Sequence, residues 1–171
     1  MKRLTFSVLC VLLMVFCANG TAQEVSKDCS GATALLEEYL SSNEKVEANM
    51  EISSSFDYLI AELELFMQPK GITYDLQSNW ALWLEKVTKS DLSEELKESI
   101  SDLTLEVETS IFEVYTDFSS RADMINTIMV ESAYDDVLSN ISDIKDGLSS
   151  AVNSSIEERK KPQLALENFL K

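Results

Sequence analysis

The chain has 171 residues, 30 of them acidic against 14 Lys and Arg, with no His and a formal net charge of −16. That balance lacks the cationic contacts that nucleic-acid phosphates and anionic bilayer surfaces demand, so neither is expected as a partner. Without His, nucleophile–His catalysis and His-held metal sites are excluded, and 45% hydrophobic residues are too many for a disordered acidic tail.

Lys2 and Arg3 open the chain, Val8 to Cys17 is a short apolar run, and small residues follow at Ala18, Gly20 and Ala22. This is the layout of a secretory signal peptide over 1–22, with cleavage after Gly20 or Ala22. The run is short for a bilayer span and lacks stop-transfer charges. Phe16 before Cys17 also departs from a lipoprotein signal, which wants a small residue there. Removal takes away two cations, so the mature chain is two charges more negative, and it takes Cys10 and Cys17 with it. Cys29 then stands alone. No internal disulfide can form, and in an oxidising compartment an odd exposed cysteine points to a disulfide-linked homodimer.

Gln23 to Ser30 is polar and is expected to be loose. A first helix is predicted from about Gly31 to Met67. Its half from Ile52 onward is a dense apolar stripe, whereas Ser41 to Ser55 is thin, with Asn43, Asn49 and Ser53 on the same face. Pro69, Lys70 and Gly71 form a loop. A short helix follows from Asp75 to Thr88, with Leu76, Trp80, Trp83, Leu84 and Val87 on one face.

The central stretch runs from Ser90 to Met129. Its apolar residues Leu92, Leu96, Ile100, Leu103, Val107, Ile111, Val114, Phe118, Ala122, Ile125 and Met129 are spaced by fours and threes. That spacing returns every side chain to one helical face and never alternates by two. At about 100° per residue the stripes before and after Lys89–Asp91 lie on nearly opposite faces. A break is therefore predicted at 89–91, capped by Ser90 or Asp91, with Asp91 and Glu94 at capping-box spacing. The next break is placed at Ser119–Ser120 in preference to 130–132. The last helix carries Tyr134, Val137, Leu138, Ile141, Ile144, Leu148 and Val152, with Gly147 as a weak point. It ends in Arg159, Lys160 and Lys161, and Pro162 is expected to stop it.

The fold class that follows is all-α: an elongated antiparallel bundle of three long rods, the middle one broken near 89–91, giving four helices. The bundle domain is expected over 31–161, with a short tail over 162–171.

Chemistry-bearing patterns are sparse. Trp80, Trp83, Leu84 and Val87 could line an apolar pocket, although such residues more often form core. Asn140-Ile-Ser142 and Asn153-Ser-Ser155 match the glycosylation acceptor pattern; Asn153 projects from the stripe of the last helix and is the favoured of the two. A calcium loop at Asp143–Gly147 fails because Ile144 occupies a ligand position. Paired carboxylates are too numerous to single out, and no phosphate-binding glycine loop, Gly-x-Ser-x-Gly elbow or Cys-x-x-Cys pair is present. No catalytic residue, metal or cofactor is expected. The expected function is a secreted, extracellular, non-enzymatic protein that binds an extracellular protein partner or a small apolar ligand. The alternative is an exchangeable, apolipoprotein-like lipid-surface protein, which the shortage of cationic flanks on the polar faces disfavours.

Overall fold

A computed structural model describes residues 22–66, 76–112 and 123–169, with side chains over 30–66, 76–109, 111–112 and 137–169. Every element in the described residues is helical: α1 Ala22–Phe66, α2 Leu76–Thr88, α3 Glu94–Val107 continued by a π-helical turn Glu108–Phe112, and α4 Asp123–Phe169. These are the expected rods, with the middle one broken as predicted. Residues 45–156 form one compact unit, and those up to Glu44 together with those from Glu157 form another.

Within 45–156 the helices run antiparallel. Asp57 pairs with Lys145 at 3.2 Å, and Asn49 Nδ2 donates to the Ala151 carbonyl at 3.5 Å, so α1 and α4 run in opposite directions. Likewise α2 returns along α1, with Asn79 beside Glu62 and Lys86 beside Glu51. The apolar stripes meet in one core: Ile52, Phe56, Leu59, Ile60, Leu63 and Phe66 of α1, Leu76, Trp80, Trp83 and Val87 of α2, Ile100, Leu103 and Val107 of α3, and Val137, Ile141, Ile144 and Leu148 of α4. Each such side chain, fully buried, contributes roughly 1.5–3 kcal/mol.

The aromatic residues form the centre of that core. Phe56 stacks on Trp83 with centroids 5.0 Å apart, and Trp80 meets Phe56, Trp83 and Phe112 edge to face. Burying two indoles requires partners for both N–H groups. Trp83 Nε1 donates to the Ile52 carbonyl at 3.0 Å, and Trp80 Nε1 donates to Thr104 Oγ1 at 3.0 Å. The Thr104 hydroxyl in turn donates to the Ile100 carbonyl at 2.8 Å, which explains a buried threonine in an apolar stripe.

The α2–α3 junction resets the helical phase over Lys89–Ser93. At the end of α2 the carbonyls are covered locally. Lys89 N donates to Glu85 O, the Thr88 hydroxyl to Leu84 O, and both the amide and the hydroxyl of Ser90 to Val87 O. The helix cap is Ser93, which has an extended backbone and whose hydroxyl accepts from the Leu96 amide at 3.3 Å; the expected caps Ser90 and Asp91 lie outside α3. Ser90 closes the preceding helix instead.

Two expectations about helix ends are corrected, the disfavoured alternative break is excluded, and the preferred one lies outside the described residues. The helix expected to begin near Gly31 extends back to Ala22, so the segment 23–30 is helical rather than loose. The last helix does not stop at Pro162 but continues to Phe169. Proline forfeits the bond to the carbonyl four residues back and its ring crowds that carbonyl, but here the ring is buried, and that burial works against the cost. There is no break at 130–132, since α4 is continuous from Asp123. Residues 119–120, the signal segment 1–21, and the side chains of the central stripe from Val114 to Met129 lie outside the described residues.

The unit built from the segments to Glu44 and from Glu157 buries Ala32, Pro162 and Leu166, and there Arg159 Nη1 donates to Asn43 Oδ1 at 2.9 Å. Arg159 Nε is buried with no hydrogen-bond partner among the described residues.

Candidate binding groove

The antiparallel pairing of α1 and α2 sets two parallel rows of side chains beside each other. Ser54, Ser55 and Tyr58 come from α1, and Asn79, Leu82, Glu85 and Lys86 from α2, with Lys89 just past its end. Between them runs a groove of about 630 Å³, floored by Leu59 and Trp83. The volume falls within the range of small-molecule sites, roughly 300–1,000 Å³.

The small serines leave the gap open. Tyr58 and Leu82 form its apolar walls, 59% and 60% exposed, although each is large enough to have been placed in a core. Tyr58 is nevertheless held: its hydroxyl donates to Glu62 Oε1 at 2.7 Å, and Asn79 Nδ2 donates to the other oxygen, Oε2, at 3.3 Å. One carboxylate thus fixes a side chain from each wall. Accepting from the phenol stabilises its protonated form, so Glu62 raises the Tyr58 pKa above its ordinary value.

Lys86 bridges to Glu51 of α1 at 2.6 Å, and Lys89 pairs with Glu85 one turn back. The hydrogen bond and charge of Lys86 lower the Glu51 pKa, and those of Lys89 lower that of Glu85. All four side chains are more than half exposed, so these ion pairs are weak and readily exchanged.

The residues singled out from sequence are distributed differently. Trp80, Trp83 and Val87 are core side chains, and Leu84 is half-buried against them. Of these four only Trp83 also reaches the groove. Ser54, Ser55, Tyr58, Asn79 and Lys86 escaped notice because exposed polar residues on a helix look like a solvated face. Leu82 carried a signal, as a leucine off the Leu76–Val87 stripe. Asn140 and Asn153 are both exposed on α4, and Asn140 Nδ2 donates to Glu106 Oε2 at 2.7 Å. The side chain of Cys29 lies outside the described residues. Among the described residues no group of three Cys, Asp or Glu side chains is placed to hold a metal ion, and no helix is long and apolar enough to cross a membrane.

No family model, curated protein or solved structure matches the chain.

Proposed function

We propose that this chain is a secreted, acidic, non-catalytic protein that acts by binding, and that the α1/α2 groove seats a small apolar ligand or the apolar edge of an extracellular protein partner. One observation carries the reading. Tyr58 and Leu82 stay outside over a gap floored by Trp83, while Phe56, Trp80 and Phe112 are consumed in internal packing. An exposed apolar pair beside an open groove is where ligand burial gains most.

The lipid-surface alternative requires the helices to part and lay their stripes on lipid. Parting would undo the Phe56–Trp83 stack and both indole hydrogen bonds, and it would bring acidic faces toward anionic headgroups. The closed, groove-binding form is therefore favoured.

The test uses a neutral apolar fluorophore, N-phenyl-1-naphthylamine. Its emission should rise and saturate at one probe per chain, and Leu82→Glu should abolish the rise while far-ultraviolet circular dichroism stays unchanged. Non-saturating binding, or equal binding by the Leu82→Glu protein, refutes the groove. A blue shift of tryptophan emission on adding lipid vesicles would put the lipid-surface reading first.

A further inference from the structure

We infer that the groove selects amphiphiles carrying one anionic group, with the apolar body lying over Trp83 between Tyr58 and Leu82 and the anion held by Lys86 and Lys89. The inference rests on the groove being the ligand site and goes on to state the chemistry of its ligand.

Its basis is charge placement. The chain has 14 cations against 30 acids, yet two of those cations stand three residues apart along one wall of the groove. Among the lining residues only Glu85 is acidic, so two cations stand against one acid in the lining of a chain of net charge −16, and Glu51, bonded to Lys86 from α1, balances the second cation. Glu51, which pairs with Lys86, does not line the groove. Each ammonium group has three donors and its carboxylate takes one, so either lysine can bond a ligand oxygen without first losing its partner.

The position of the lysines sets the ligand's orientation. Lys86 lies one turn beyond Leu82 on α2, and Lys89 one turn further, so the cations mark one end of the groove and the apolar walls its middle. The negative end of the α2 dipole lies nearby, but the local hydrogen bonds to Leu84, Glu85 and Val87 cover carbonyls there. At the other end, Glu62 bridges Tyr58 and Asn79, and a second anion there would meet like charge. The arrangement suits one anionic head and a short apolar body, free in solution rather than packed in a bilayer.

The experiment compares two probes sharing one apolar body: 1-anilinonaphthalene-8-sulfonate and its uncharged parent, N-phenyl-1-naphthylamine. Lys86→Gln and Lys89→Gln should each weaken the sulfonate probe by at least about threefold and change the neutral probe by less than about twofold, as loss of a charge-assisted hydrogen bond at an exposed site predicts. Lys160→Gln, which removes the same charge outside the lining, should alter neither. Raising salt from about 10 mM to about 1 M shortens the screening length from about 30 Å to about 3 Å and should weaken only the sulfonate probe. Decanoate should displace that probe better than decanol, and anionic vesicles should not displace it. If the lysine variants leave the sulfonate probe unchanged, or weaken both probes alike, the anion assignment is overturned while the groove stands. If neither probe binds, the groove itself is refuted and the assignment with it.

Discussion

The two compact units use the same long helices to different effect. Over 45–156, segments of four helices face one another, and the aromatic centre reaches near-complete burial with both indole N–H groups bonded. Over the segments 30–44 and 157–169 two helix ends are present among the described residues. There Leu35, Leu36, Tyr39 and Leu40 are half-buried, Leu164 and Phe169 are exposed, and Arg159 Nε has no hydrogen-bond partner among the described residues. A pair of helices can cover only the strip along which they touch, whereas four can enclose a centre. Helical periodicity therefore says that a segment coils, and the number of neighbours decides whether coiling stabilises it.

The comparison breaks or sharpens under substitution. Phe56→Ala should have the largest effect, about 3–5 kcal/mol by urea denaturation, since it removes the ring that stacks on Trp83. Leu103→Ala should cost about 2–5 kcal/mol. Leu166→Ala, on the two-helix side, should cost less than half as much as Leu103→Ala; equal costs would erase the distinction between the units. Thr104→Val keeps the shape but leaves the buried Trp80 N–H without an acceptor, which should cost about 1–3 kcal/mol. Hydrogen exchange should show the amides of 50–64 outlasting those of 31–43 within the same helix.

The smallest effect should come from the groove rim and depends on pH. Lys86 lowers the Glu51 pKa below its ordinary 4.5, so the pair contributes fully above about that value and its contribution is lost as pH falls through the lowered one. The difference in urea midpoint between wild type and Glu51→Gln should be small at neutral pH and should vanish in acid. For Tyr58 the sign is reversed: the pKa is raised, so its bond to Glu62 contributes fully below about pH 10 and fades as pH rises through the raised value.

Much of this fold is legible in the residue spacing. The stripe from Leu92 to Ile111 is buried or half-buried as its periodicity demands, and the phase conflict across Lys89–Asp91 locates a real break. The thin half of α1 is also visible, with Asn49 buried and bonded to Ala151 where a core residue would otherwise stand. What spacing misses depends on partners distant in sequence. Thr104 resembles an off-pattern polar residue until Trp80 is seen donating to it. Gly147 resembles a weak point until the Leu96 side chain is found so close that an added Cβ would lie 2.7 Å from Leu96 Cδ1. The extension to Ala22 has no dense stripe to announce it, and Pro162 seemed an end because its missing donor was weighed without its buried ring. The groove was illegible for a related reason: it belongs to neither helix, and its residues acquire meaning only when two polar faces are set side by side.

The π-helical turn at Glu108–Phe112 holds one residue more than a regular helix needs to carry the chain from Val107 to Phe112 on one face. Its wider winding brings both Ile111 and Phe112, four and five residues after Val107, to the buried side, where Phe112 meets Phe66 and Trp80. In an ordinary helix Ile111 would stay near the face of Val107, whereas Phe112, five residues on, would swing about 140° from it. Loss of a single codon between Glu108 and Ser110 would leave a regular helix in place of the turn, with Ile111 and Phe112 three and four residues after Val107 and both on its face. Point substitutions at the exposed Glu108 and Thr109 preserve the residue count and so keep the wide turn.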